Sequence, residues 1–190
     1  MAMLTAMPNM TFLTPASREE LKECFTYALL ECDGPVAIRY PKGKEEANLE
    51  SLPYRDKKAQ ILRDGSDVCI LSVGHMTKAA LEAANILEEE SISCTVLHLR
   101  FIKPLDEETI LRCAKSAKIC FTVEDGMICG GVGETIVNVL QRNQIMCPTV
   151  TLGYPDTFIA QATAEEIREE YGLTGAGIAK SIRQTIKNLS

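Results

Sequence analysis

Apolar residues along this chain fall into short continuous runs, separated by stretches that repeat with a helical period. "MTFLT" at 10–14 and "VAIRY" at 36–40 read as strands. Between them Pro15 and Ser17 open "SREELKECFTYALLEC", where Ser17 and Glu20 have the spacing of a capping box. Leu21, Cys24, Phe25, Ala28 and Leu29 share one face of that helix, which predicts packing of this face against a sheet. A helix joining two strands this close implies a parallel crossover. Two strands alone make no stable sheet, so other segments are expected to complete it. "KEEANLESLPYRDKK" at 44–58 is polar, contains a proline and shows no sustained period, as an interdomain linker does.

From Ala59 the pattern becomes regular. The order is "AQILR", Asp64-Gly65, "DVCILSV", a helix near 76–90, "SCTVLHL", a helix near 106–116, "KICFTV", a helix near 131–142 and "TVTLG". Two further helical patterns, "AEEIREEYG" and "AGIAKSIRQTIKNL", end the chain. Strands that are nearly all apolar, alternating with helices, predict an α/β fold with a three-layer, mostly parallel sheet and a partial βαβ unit at the amino end. Asp64-Gly65 suggests a hairpin that adds one antiparallel edge strand. Asp106 is placed to cap the helix that follows it, with Glu107 and Glu108 complementing the dipole. Met76 recurs at helical spacing with Ala79, Ala80, Ala83, Ile86 and Leu87, which makes it a core residue. The expected organisation is an incomplete first unit over 1–43, a linker over 44–58 and a second unit over 59–190.

Composition narrows the partners. With 46% hydrophobic residues the chain can bury a core, and a net charge of -6 with scattered Lys and Arg argues against nucleic acid. No apolar run reaches the roughly 18 residues of a membrane helix, and no signal-peptide pattern opens the chain, so a cytoplasmic location without membrane attachment is expected. Eight cysteines occur, none as C-x-x-C, and most lie inside strand or helix patterns, which predicts reduced, buried thiols. Only His75 and His98 are present, without zinc-ligand spacing, so no metal is expected on this chain alone. Cys129, beside a glycine-rich turn, is the cysteine most suited to an exposed position.

In "TVEDGMICGGVGETI" at 122–136, Gly130-Gly131-x-Gly133 precedes a helix and permits two readings. Backbone N–H groups there could cradle a phosphate. Against that, the full dinucleotide fingerprint and any Gly-Lys-Ser/Thr are missing, and Glu124, Asp125 and Glu134 would repel an anion, which favours a tight turn. Glu124 and Asp125 are adjacent on an extended segment, so they point to opposite sides and do not form an acid–base pair. His75 opens a helix and reads either as an acid–base group or as a solvent-facing loop residue. "RYPKG" at 39–43 ends what reads as a buried strand and presents Arg39 and Lys42, cations suited to a phosphate, a carboxylate or an interdomain ion pair.

Taken in order, "MPNMTFLTPASREEL", "GPVAIRYPKG", "LRFIKPLDEETI", "TVEDGMICGGVGETI" and "LGYPDTFIAQATAEEIREEYGLTGAGI" resemble the carboxy-terminal part of the 1-deoxy-D-xylulose-5-phosphate synthase family. That family belongs to the transketolase-like thiamine diphosphate enzymes. The resemblance implies that 1–43 ends a pyrimidine-binding domain and 59–190 is a transketolase carboxy-terminal domain. It implies a reaction joining pyruvate to glyceraldehyde 3-phosphate with loss of CO2, using thiamine diphosphate and Mg. The G-D-G…N motif that holds both is not in these residues, so the chain alone is expected to be inactive and to need the missing amino-terminal portion or a separate subunit.

 A homodimer is the expected assembly. In the family's "R-Y-P-R-G" the second basic residue holds the substrate phosphate. That position is Lys42 here, a point charge in place of a fork, with Arg39 supporting it at the domain interface. Glu124, Gly130, Gly131 and Gly133 would form an interdomain packing turn and not a nucleotide site. The alternatives implied are a transketolase or 2-oxo acid dehydrogenase β-like subunit, or a non-catalytic binding module of the same fold.

Overall fold

Two sheets form, and one extended run of chain takes part in both. The computed structural model describes residues 2–41 and 53–189. A short helix α1 (Ala2–Thr5) leads to β1 (Thr11–Leu13), α2 (Arg18–Leu30) and β2 (Val36–Ile38). Beyond Pro53 come β3 (Gln60–Arg63), β4 (Val68–Val73), α3 (Met76–Glu88), β5 (Cys94–Leu99) and β6 (Phe101–Lys103). The chain continues through α4 (Glu107–Ser116), β7 (Ile119–Met127), α5 (Val132–Arg142), β8 (Thr149–Tyr154), α6 (Ala164–Glu170) and α7 (Gly175–Leu189).

The larger sheet has the order β3-β5-β4-β7-β8 and is parallel except for β3. Every residue of β4 and β5 is buried, because helices cover both faces. On one face, α3 and α7 pack over Val68, Ile70, Val96 and Phe121 through Ala80, Ala83, Leu87, Ile178 and Ile182. On the other, α4 and α5 cover Cys69, Leu71, Leu97 and Cys120 through Ile110, Ile136 and Leu140. Three layers result, as the alternating pattern predicts. Met76 is 1% exposed within the first of these clusters, in keeping with a core role.

The antiparallel edge strand is present, but its partner differs from the hairpin expected at Asp64-Gly65. β3 pairs with β5 and not with β4, the strand that follows it. Gly65 lies against the start of β5, where a Cβ would come within 2.4 Å of the Cys94 backbone, and its N–H donates to Thr95 Oγ1 at 2.9 Å. The turn therefore carries the chain over β5 and sets β4 down on its far side.

The smaller sheet has the order β2-β1-β6. β1 and β2 are parallel, as the crossover requires, and β6 supplies the third strand from a distant part of the sequence, antiparallel to β1. β2 is half-buried along its length, so "VAIRY" is not the buried strand expected from its composition. The inner face of α2 also differs from the expected one. Cys24 and Tyr27 are buried with Glu20, whereas Phe25 and Leu29 are 47% and 78% exposed. Leu13, Cys24, Tyr27, Tyr54 and Phe101 make the small core between α2 and this sheet, with Tyr27 and Phe101 edge to face. Among the described residues no helix is long and apolar enough to cross a membrane.

Candidate functional site

The glycine-rich turn after β7 already holds an anion, and the anion is part of the chain. Glu124 is 1% exposed and accepts backbone N–H bonds from Val132 at 3.2 Å and Gly133 at 3.1 Å. These are free donors of the first turn of α5, so the carboxylate takes the place a phosphate would need. Burial pushes the pKa of Glu124 up, and the two N–H donors oppose that rise by favouring the ionised form. The glycines make the approach possible. A Cβ at Gly131 would lie 2.2 Å from Glu124 Oε1, and one at Gly133 would lie 2.5 Å from Thr122 Oγ1. Gly130, at φ +68°, turns the chain, and its N–H donates to Glu134 Oε2 at 2.8 Å.

Asp125 points the other way, as adjacent residues on a strand do, and it gathers side chains from three elements. Its Oδ2 lies 2.8 Å from His75 Nε2, at the start of α3. Tyr154, at the end of β8, donates its hydroxyl to the same carboxylate, and the Asp125 backbone carbonyl accepts from Arg39 Nη2 just beyond β2. The bond from His75, with help from Tyr154 and Arg39, pulls the pKa of Asp125 down to about 2. His75 is only 8% exposed, so it is neither a free loop residue nor open to solvent. The cluster sits at the carboxyl ends of β4, β7 and β8, where open parallel sheets place their ligands. Its chemistry here is to fix the exit of β2 against the large sheet, with Arg39 as the link. Lys42 lies outside the described residues.

A second charged group joins the sheets from within. Glu20 is fully buried, with Oε2 2.8 Å from His98 Nε2 and Oε1 accepting from Arg100 Nε at 2.8 Å. Ser17 caps α2 by accepting from the Glu20 N–H at 3.1 Å, yet the Glu20 carboxylate does not return to Ser17. It accepts from Ala16 N–H at 2.8 Å instead and spends its remaining capacity on β5 and the residue after it. Half of the capping box is therefore correct, and the other half has become an inter-sheet ion pair. His98 Nδ1 continues the network to Thr77 at 2.9 Å, and the Arg100 guanidinium stacks on the Tyr54 ring at 3.9 Å. Burial opposes ionisation of Glu20, but His98, Ala16 N–H and Arg100 together leave its pKa below the ordinary value. Sequence reasoning missed this network. Its signal was the presence of His98 and Arg100 two residues apart, on one side of an otherwise apolar run.

Asp106 caps α4 as expected, accepting from Thr109 N–H at 3.3 Å, and also accepts from Ala59 N–H at 3.0 Å. The eight cysteines are all free thiols, with Cys129 exposed. Among the described residues no group of three or more His, Cys, Asp and Glu side chains could hold a metal ion. Because Glu124 fills the helix N-terminus at the glycine turn, the residues there do not fit a diphosphate.

Residues 57–178 match the family described as transketolase, C-terminal domain. The chain belongs to that family. Over 188 residues this transketolase C-terminal domain chain is 39% identical to a 1-deoxy-D-xylulose-5-phosphate synthase of Synechococcus sp. (strain JA-2-3B'a(2-13)), covering 96% of the chain and 29% of the relative. A second synthase, from Cyanothece sp. (strain PCC 7425 / ATCC 29141), is 37% identical over 187 residues, 95% of the chain and 29% of the relative. The transketolase C-terminal domain chain thus spans less than a third of the length of these relatives. Among solved structures, a split gene transketolase described as an inactive beta4 tetramer aligns with a TM-score of 0.81 at 29% identity, over 96% of this chain and 60% of that one. A transketolase mutant from Pichia stipitis aligns at 0.76 with 21% identity over 98% of the chain and 26% of its own, a likeness of fold.

Proposed function

We propose that this chain is the carboxy-terminal portion of a thiamine diphosphate-dependent carboligase of the 1-deoxy-D-xylulose-5-phosphate synthase type. In that enzyme pyruvate and glyceraldehyde 3-phosphate would give 1-deoxy-D-xylulose 5-phosphate and CO2. The observation that carries this reading is the 37–39% identity to synthases across nearly the whole chain, the first small unit included. Thiamine diphosphate supplies the carbanion chemistry when bound, and its site belongs to the portion of the enzyme outside these residues. The part played by this chain is structural and substrate-directed. Glu20, His98, Arg100 and the Asp125 cluster hold residues 11–39 against the large sheet, and Arg39 positions the segment that leads to Lys42. Lys42 is proposed to hold the phosphate of the acceptor. The division into 1–43, 44–58 and 59–190, a homodimeric assembly and a cytoplasmic location belong to the same reading, and the exposed Phe25 and Leu29 face of α2 is suited to the pyrimidine-binding domain's remaining part.

The test is complementation. The chain is combined with the amino-terminal portion of a synthase, and CO2 release from pyruvate is followed with and without glyceraldehyde 3-phosphate. Activity that requires both portions supports the proposal; tight association without activity favours a non-catalytic assembly module. In the active pair, Lys42→Ala should raise the KM for the phosphorylated acceptor roughly tenfold or more, since a charge-assisted contact is worth ~1.5–3 kcal/mol. An unchanged KM removes Lys42 from the site. A second reading, a separately made subunit, is favoured by the likeness to the split gene transketolase.

A further inference from the structure

Four thiols stand in a row across the large sheet on the face covered by α4 and α5. Cys69 of β4 and Cys120 of β7 are paired in register, and Thr149 of β8 is the next residue in that row. Cys113 on α4 and Cys120 each share a hydrogen bond with Cys69. Cys147, which precedes β8, packs against the same cluster, and its Sγ lies 3.4 Å from Cys120 Sγ. Exposure differs sharply along the row. Cys69 and Cys120 are fully buried and Cys113 is 6% exposed, while Cys147 is half-buried and lines an open groove with Met146 and Val137.

We propose that Cys147 and Cys120 form a redox site, closing reversibly to an intrachain disulfide with hydrogen peroxide as oxidant. Cys147 is the member of the row that an oxidant can reach. Its sulfur attacks a peroxide oxygen, the O–O bond breaks, and one water leaves as Cys147 becomes a sulfenic acid. Cys120 Sγ then attacks the Cys147 sulfur, the S–O bond breaks, and the oxygen leaves as a second water with the Cys120 proton. Two thiols are oxidised and one peroxide is reduced. A disulfide needs sulfurs about 2.05 Å apart, so the pair must close by roughly 1.4 Å. The backbones are already adjacent, because Cys120 N–H donates to Pro148 O at 2.8 Å. Cys147 lies before the paired residues of β8 and can shift without breaking that ladder. The bridge would pin the entry of the edge strand β8 to β7.

The test uses the whole chain, reduced and then exposed to hydrogen peroxide, with free thiols alkylated and peptides mapped by mass. The expected result is loss of two hydrogen atoms, a cross-linked peptide pair containing Cys120 and Cys147, and return to the starting mass with dithiothreitol. Cys147→Ser and Cys120→Ala should each abolish that bridge, and Cys129→Ser should leave it intact. Melting curves of the reduced variants show that they are folded. Recovery of both Cys120 and Cys147 as alkylated thiols after peroxide, or a bridge between other cysteines in the wild-type chain, overturns the proposal.

Discussion

Helices α2 and α3 are both 13 residues long and both follow a parallel strand, yet they bury different kinds of residue. α3 packs against both the large sheet and α7, so its apolar stripe of Met76, Ala80, Ala83 and Leu87 points inward. α2 turns Glu20, Cys24 and Tyr27 inward and leaves Phe25, Leu29 and Leu30 on the surface. An amphipathic pattern thus identifies a face suited to being covered without identifying what covers it. In α3 the cover is this sheet. In α2 the inner face is decided by one ion pair, since Glu20 has Arg100 and His98 to meet.

Breaking that pair should produce the largest effect. Glu20→Ala leaves the Arg100 and His98 side chains buried without their carboxylate, and a loss of ~3–5 kcal/mol is expected in urea unfolding. The same group gives acid sensitivity. The pKa of Glu20 is lowered from 4.5 on folding, so its contribution is complete above that value and is lost as pH falls through the folded pKa. Unfolding midpoints below pH 4.5 should therefore fall more steeply for the wild type than for Glu20→Gln; parallel curves would dismiss the ion pair as the cause.

On α3, Leu87→Ala removes a fully buried side chain and should cost ~2–5 kcal/mol in the same assay. Gly131→Val comes next, at about 1–3 kcal/mol, because the new side chain must displace Glu124 from the start of α5. It should change no nucleotide affinity, and measurable ATP or NAD binding by the wild-type chain would contradict the Glu124 cap. The smallest change belongs to Leu29→Ala. At 78% exposure it should stay within about 0.5 kcal/mol for the chain alone, and a loss matching that of Leu87→Ala would erase the contrast between the helices.

Much of this architecture is legible in the residues. Apolar runs locate the strands, Ser17 and Asp106 mark helix starts, and Glu124 with its neighbouring glycines points to a turn. What local pattern could not provide was choice among partners. Asp64-Gly65 has turn chemistry, but the order of strands in the sheet, and not the turn, decides that β3 meets β5. Glu20 has the spacing to close a capping box, and a tertiary arginine competes successfully for its carboxylate. His75 and Asp125 are 50 residues apart, so their pairing depends on β4 and β7 being neighbours. The fold was visible through periodicity; the junction between the sheets depended on contacts distant in sequence.

β5 ends at Leu99 and β6 begins at Phe101, which makes the stretch from Cys94 to Lys103 a single rail serving two sheets. Its one interruption is Arg100, whose guanidinium is held by Glu20 and stacked on Tyr54. Mechanically the small sheet is a cantilever clamped at that residue. Torque applied to α2 by whatever packs on its outer face would pass along the rail toward α4, with little freedom to dissipate as an independent swing.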